Sequence, residues 1–143
     1  MAGSEITTDT DSDAPESRIP DELKYSEQHE WIALENGVGT IGITDYAQTE
    51  LGDIVFVELP GVGDVLEKGQ TFGTVEAVKT VEDLYSPVSG EIVEVNDTLE
   101  ESAEQVNADP YGDGWMIKIR IDGTGDLEEL LTADGYRELI EGA

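Results

Sequence analysis

The sequence predicts a mainly β domain, a sandwich or flattened barrel of short strands with small helices added. Three observations lead there. Short runs rich in Val, Ile, Thr and Phe recur along the chain. Turn-forming pairs such as Asn36-Gly37, Pro60-Gly61, Gly63-Asp64 and Asn96-Asp97 separate them at short spacing. Helical patterning is confined to one brief segment before the middle and to the C-terminal end. Many short strands with frequent turn signals are the pattern of a sandwich or barrel, not of alternating strands and helices.

The elements follow in order. Residues 1–22 carry seven acids, one base and two prolines with few apolar residues, and read as a disordered acidic tail. The remaining residues, 23–143, form one domain, with order beginning near Tyr25. Residues 30–35 (EWIALE) and 38–43 (VGTIGI) are two strands joined at Asn36-Gly37, a favoured hairpin dipeptide. Thr44 caps a short helix over Asp45 to Leu51, with Gly52 just past its end. Residues 53–59 (DIVFVEL) have apolar side chains at both parities, which predicts a strand buried on both faces. Residues 71–78 and 80–85 are β-rich and flank Lys79, and Ser86-Pro87 ends the second. Residues 90–95 (GEIVEV) give another strand, and residues 63–69 (GDVLEKG) echo its turn-strand-turn logic. Residues 99–109 are acidic and irregular, with room for one helical turn. Residues 114–121 alternate, with Trp115, Ile117, Ile119 and Ile121 on one face and Met116, Lys118 and Arg120 on the other. Residues 126–131 form a short helix. Thr132 caps a second, with Tyr136, Leu139 and Ile140 toward the core.

Charge excludes whole classes of function. The chain has 34 acidic and 7 basic residues, a net −27. There is no basic patch to neutralise phosphates, so no nucleic-acid partner is expected. An anionic membrane surface is excluded for the same reason. No apolar run approaches the ~20 residues needed to span a bilayer, and the N-terminus lacks the basic-then-apolar form of a signal peptide. A cytoplasmic location is expected. The tail accounts for only seven of the acids, so the acidity belongs to the folded part. Such a surface repels itself in dilute salt and is screened in molar salt, where the Debye length falls to ~3 Å. The expectation is a halophilic cytoplasm. An acidic protein with basic partners is the other reading, and a melt against KCl separates the two.

Only four lysines remain: Lys24, Lys68, Lys79 and Lys118. Lys68 in a turn, Lys118 on the polar face of a strand beside acids, and Lys24 ahead of the first element all have structural explanations. Lys79 falls between two β segments, at a hairpin apex. On spacing alone it is either a solvated turn lysine or a residue that a modifying enzyme can reach.

The surrounding residues 75–95, VEAVKTVEDLYSPVSGEIVEV, resemble the lipoyl attachment segment of the glycine cleavage system H proteins. So do residues 25–32 (YSEQHEWI), 41–60 (IGITDYAQTELGDIVFVELP), 109–120 (DPYGDGWMIKIR) and the final helices. The resemblance covers the chain from about Leu23 onward. It implies a lipoyl-domain-like hybrid barrel, two small antiparallel sheets in a sandwich. It also implies lipoate in amide linkage on Lys79 and a carrier, not an enzyme. In that family a pyridoxal-phosphate-dependent glycine decarboxylase loads an aminomethyl group on the arm. An aminomethyltransferase passes its methylene to tetrahydrofolate, and a flavin-dependent dihydrolipoamide dehydrogenase reoxidises the dithiol. A lipoyl/octanoyl transferase or lipoate ligase would attach the group. The loaded arm folds into a surface cleft, for which the matching positions are Glu30, Ile43 and Asp83, with Glu30 placed to pair with the arm's ammonium. Glu30 and Asp83 are also readable as two solvated acids among many.

Two departures stand out. Family members often read Ser-Val-Lys-Ala where this chain has Ala77-Val78-Lys79-Thr80, and Glu50 stands where some have His. His29, the only histidine, cannot build a usual zinc site alone and reads as a packing residue. Cysteine is absent. That suits a carrier of a reactive dithiolane, since thiolates attack disulfides, and is also ordinary for a small protein. A biotin carrier usually has Met on both sides of the lysine, here Val78 and Thr80. Neither it nor the lipoyl domains of 2-oxo acid dehydrogenases have the His29-Glu30-Trp31 start. A related lipoyl carrier serving another pathway stays open. No nucleophile–base pair, metal set or phosphate loop supports an enzyme.

Overall fold

The computed structural model describes residues 18–123 and 125–142. The strands are β1 (Lys24–Tyr25), β2 (Glu30–Glu35), β3 (Val38–Ile43), β4 (Ile54–Glu58), β5 (Val65–Leu66), β6 (Thr71–Ala77), β7 (Val81–Tyr85), β8 (Gly90–Val95) and β9 (Ile117–Ile121). The helices are α1 (Asp45–Leu51), α2 (Gln105–Ala108), α3 (Gly125–Glu128) and α4 (Ala133–Glu141), with a 3₁₀ turn over Asp97–Glu100. The strands make two antiparallel sheets, one of six in the order β1-β2-β3-β9-β8-β5 and one of three in the order β4-β6-β7. The fold is thus mainly β with short helices, as the alternation of strands and turns predicts. None of the described helices is long and apolar enough to cross a membrane.

The two sheets face each other across one apolar core. Ile32, Ile41, Ile92, Ile117 and Ile119 come from the larger sheet, and Val57, Val75 and Leu84 from the smaller. Fully burying such side chains contributes about 1.5–3 kcal/mol each. A second cluster gathers Leu23, Tyr25, Trp31, Ala133 and Tyr136 under the C-terminal helix. There the Tyr25 and Tyr136 rings stack at 4.7 Å, and Tyr25 exchanges backbone hydrogen bonds with Leu131 at 2.9 and 2.8 Å. This cluster fixes α4 against the β1–β2 corner.

Local chemistry sets the turns. Asn36 and Gly37 both have positive φ, 54° and 81°, as a tight hairpin requires. Thr44 accepts the Ala47 amide at 3.1 Å, and Thr132 accepts the Gly135 amide at 3.1 Å, each capping a helix.

Some expectations are corrected. Residues 53–59 are not buried on both faces, for Val55 is 57 % and Phe56 46 % exposed. A bulge between Ile54 and Phe56 inserts one residue against β6. It resets the alternation, so that Ile54 and Val57, three apart, both point inward. The small sheet is covered on one face only. At residues 114–121 the strand begins at Ile117, and Met116 is fully buried where the alternation predicts the polar face. The cause is Asn96, whose side-chain amide donates to the Asp113 and Trp115 carbonyls at 2.9 and 2.7 Å and bends the chain before the strand starts. Leu139 lies on the flank of α4, 36 % exposed, while Tyr136 and Ile140 pack inward. Lys68 is exposed in its turn, as expected, and there pairs with Glu129, while Lys118 pairs with Glu94 at 3.5 Å, as its place beside acids predicts. The two-residue strands β1 and β5 are too short to show a period, although β5 pairs with β8, the segment it echoes.

Residues 1–17 of the expected tail lie outside the described residues. Its last part is seated on the domain. The Arg18 amide donates to Asp45 at 2.9 Å, the Tyr111 hydroxyl donates to the Arg18 carbonyl at 2.5 Å, and the Tyr25 hydroxyl donates to the Pro20 carbonyl at 2.5 Å. Ile19 packs on the second cluster.

Candidate functional site

The β6–β7 hairpin closes where the Ala77 amide donates to the Thr80 carbonyl at 2.8 Å, leaving Val78 and Lys79 as its tip. Both are exposed. Arg18, Lys68, Lys118, Arg120 and Arg137 are all in ion pairs with carboxylates, whereas Lys24 and Lys79 make none among the described residues. The tip is nevertheless anchored. The Val78 amide donates to the Asp53 carbonyl at 3.1 Å. The lysine stem passes over Gly52, where a Cβ would stand 3.9 Å from Lys79 Cε. Gly52 ends α1 at φ 81°, a conformation that favours glycine. Asn107 holds the same corner, accepting the Ile54 amide at 2.9 Å and donating to the Gly52 carbonyl and to Gln48 Oε1, each at 2.9 Å.

Beside that corner is a cleft of about 390 Å³. One wall is α1, through Tyr46, Ala47, Glu50 and Leu51; the others are the start of β2, the end of β3 and the β6–β7 pair. Glu30, Ile43 and Asp83 all line it. Glu30 and Ile43 are opposed across β2 and β3 and are both buried, while Asp83 is exposed on β7. Lys79 itself is not in the lining. It sits at the lip, over Gly52, next in sequence to the lining residue Leu51.

Glu30 is 2 % exposed. The turn that precedes it has His29 at φ 74° and places Ser26 beneath the carboxylate. Ser26 Oγ donates to Glu30 Oε1 at 2.6 Å and accepts the Glu30 amide at 3.0 Å, while the Tyr85 amide donates to Oε2 at 3.2 Å. No cationic side chain pairs with it among the described residues. Burial therefore pushes its carboxyl up to about 7, against the pull of those donors. A buried carboxylate with hydrogen bonds but no counter-charge, opening on a cleft, is a place for an ammonium group.

His29 is held apart from that role. Its Nδ1 lies 2.8 Å from the Tyr136 hydroxyl, which is also 2.7 Å from Thr44 Oγ1. Burial lowers its pKa and the nearby Glu50 opposes this. Thr44 accepts the Ala47 amide, so the chain His29–Tyr136–Thr44 ties α4 to the head of α1. With Glu50, Glu82 and Asp83 also in the lining, the cleft favours cations.

Ser26, Tyr85, Asn107 and Tyr136 were not legible as site-building residues. Ser26 had a signal, a hydroxyl four residues before the acid in a turn. Tyr85 acts through its backbone amide and Asn107 acts across 53 residues from its partner, so neither leaves a local pattern.

The family profile described as "Glycine cleavage H-protein" matches residues 23–143. A glycine cleavage system H protein of Staphylococcus epidermidis is 62 % identical over 122 residues, 85 % of this chain and 97 % of that one. One of Carboxydothermus hydrogenoformans is 56 % identical over 125 residues, 87 % of this chain and 96 % of that one. The crystal structure of a glycine cleavage system H protein from Mycobacterium marinum superposes with TM-score 0.79 at 40 % identity, covering 87 % of this chain and all of that one.

Proposed function

The chain belongs to the glycine cleavage H-protein family, and from that premise we propose that it is the lipoyl carrier of a glycine cleavage system, with Lys79 as the residue that bears lipoate. The observation that carries the reading is the setting of Lys79. It is an exposed lysine at a hairpin tip, in no ion pair among the described residues, and anchored through Val78 to the lip of a cleft whose buried acid has no counter-charge among them. A lipoyl group in amide linkage there supplies a dithiolane able to take up and release an aminomethyl group. The protein's own residues do the rest. Lys79 presents its amine to solvent. Glu30 offers a carboxylate to an ammonium, Ile43 gives an apolar wall, and Asp83 adds negative charge at the rim. Ser26 and the Tyr85 amide hold the Glu30 carboxylate in place.

The partners in this reading are glycine decarboxylase, aminomethyltransferase, dihydrolipoamide dehydrogenase and a lipoyl/octanoyl transferase or lipoate ligase, in the cytoplasm. The surface acidity is read as adaptation to molar salt. Only five of its carboxylates are in ion pairs among the described residues, which leaves most of the negative charge to be screened by solvent.

Intact-mass and peptide mass spectrometry of protein from its native cell tests the reading. A lipoyl increment on Lys79 alone is expected, and Lys79→Arg should fold normally yet carry nothing when reconstituted with the other three components. An increment on Lys68, or full carrier activity in Lys79→Arg, refutes it.

A further inference from the structure

The cleft wall α1 has seven residues, none of them fully buried. A helix that short is not stable alone in water, so its place is set by what holds it from outside. Tyr46, Ala47, Glu50 and Leu51 form its cleft side. Asp45 and Gln48, three apart, lie on the opposite side and carry a line of hydrogen bonds. Gln48 Nε2 donates to Asp45 Oδ1 at 2.7 Å, and Asn107 donates to Gln48 Oε1 and to the Gly52 carbonyl, each at 2.9 Å. That line ends at the corner beneath Lys79.

Its other end lies at residues 18–20. The Arg18 amide donates to Asp45 Oδ2 at 2.9 Å. The Tyr111 hydroxyl donates to the Arg18 carbonyl at 2.5 Å and accepts the Asp45 amide at 3.0 Å. That amide heads the helix and has no partner within it. A hydroxyl has one proton to give, so the Arg18 carbonyl, by taking it, leaves the lone pairs free for Asp45. Ile19 on the second apolar cluster and the Pro20 carbonyl, which accepts the Tyr25 hydroxyl, seat the segment. Residues 18–20 stand ahead of the part of the chain that the family profile matches.

Resting on the reading of this cleft as the place where the arm of Lys79 docks, we infer that residues 18–20 are a strap that positions α1 as the cleft wall, with Tyr111 and Asp45 as the positioning residues that join strap to helix. Both residues stay outside the cleft lining. They act through the helix, whose cleft side keeps its place while its head is held. Thr44 is tied separately to Tyr136, and Asn107 holds the foot of the helix. Loss of the strap therefore loosens the wall and leaves the domain folded. A loosened wall admits water to whatever the cleft holds.

Hydrogen exchange and the lifetime of the loaded arm test this. Tyr111→Phe keeps the ring against Trp31 and removes the bridging oxygen, and Ile19→Ser unseats the strap. In the full-length unmodified protein, each should speed exchange of the α1 amides about tenfold and leave the β8 and β9 amides as in the parent. In lipoylated protein loaded from glycine by glycine decarboxylase, each should speed release of ammonium about threefold, because water reaches the arm. There water breaks the C–N and C–S bonds of the aminomethyl thioether and gives ammonium, formaldehyde and the thiol. The control Arg120→Ala removes a surface ion pair between β8 and β9 and should match the parent in both measurements. Unchanged α1 exchange overturns the inference. So does faster α1 exchange with an unchanged arm lifetime, for the strap would then hold the helix without serving the cleft. An equal rise at β8 and β9 also overturns it, since the loss would belong to the whole fold. Lipoate on another lysine defeats the Lys79 reading instead. Peptide mapping, together with exchange in the unmodified protein, tells the two failures apart.

Discussion

The amide of Val78 donates to the carbonyl of Asp53 at 3.1 Å, tying the lysine hairpin to the corner where α1 turns into β4. The position of Lys79 relative to the cleft therefore depends on how firmly that corner is held. Asn107 holds it from a distant part of the chain with three hydrogen bonds. Asn107→Ala should lower stability by about 2–3 kcal/mol, because three partly buried groups lose their partner at once. Urea unfolding followed by circular dichroism measures it, and an unchanged midpoint would show that water replaces the side chain.

Tyr136 makes a second tie. Its ring is fully buried, and its hydroxyl serves both His29 and Thr44. Tyr136→Phe keeps the stacking on Tyr25 and removes only that oxygen. A loss of about 1–2 kcal/mol is expected, since two buried polar groups are left short of a partner. The same denaturation experiment reads it, and a gain in stability would mean that the hydroxyl is a burden where it lies.

Glu30 predicts a pH dependence of definite sign. Its carboxyl is raised to about 7 in the folded protein, from 4.5. Between these values the unfolded chain gives up the proton while the native protein keeps it. Glu30 therefore lowers stability as pH rises from 4.5 to 7, by at most about 3 kcal/mol, and adds nothing further above 7. Glu30→Gln should flatten this segment of the stability profile and be the more stable form at pH 8. Its amide can donate to Ser26 while its oxygen accepts the Tyr85 amide. A parallel profile for parent and variant would count against a raised carboxyl.

His29 acts with the opposite sign. Burial lowers its pKa from 6.5, so the native state resists the proton that the unfolded chain accepts. Stability from this residue falls as pH drops below 6.5. A titration of the single histidine by NMR should place its midpoint below that of the unfolded chain, and a midpoint above 6.5 would show that Glu50 outweighs burial.

With a net charge of −27, salt should stabilise the fold. Raising KCl from about 0.1 M to about 1 M shortens the Debye length from ~10 to ~3 Å and should raise the melting temperature by roughly 5 °C or more. A melting temperature independent of KCl would leave the acidity to basic partners.

Much of this was readable in the chain. Asn36-Gly37, Thr44, Gly52 and Thr132 act through neighbours a few residues away, so hairpin and helix ends could be placed from local chemistry. Lys79 at a tip followed from two β-rich runs that meet there. Periodicity failed where a distant contact altered it, as at the β4 bulge and at Met116, where Asn96 bends the chain.

The sequence by itself determined the strand-and-turn order, the charge and the one lysine at a hairpin tip, because these depend on residue type and short spacing. Only the tertiary structure decided that Glu30 is buried with no counter-charge among the described residues, and that Asn107 locks the corner beneath Lys79. Desolvation and long-range hydrogen bonds depend on which parts of the chain meet in space, and spacing along the chain does not record that.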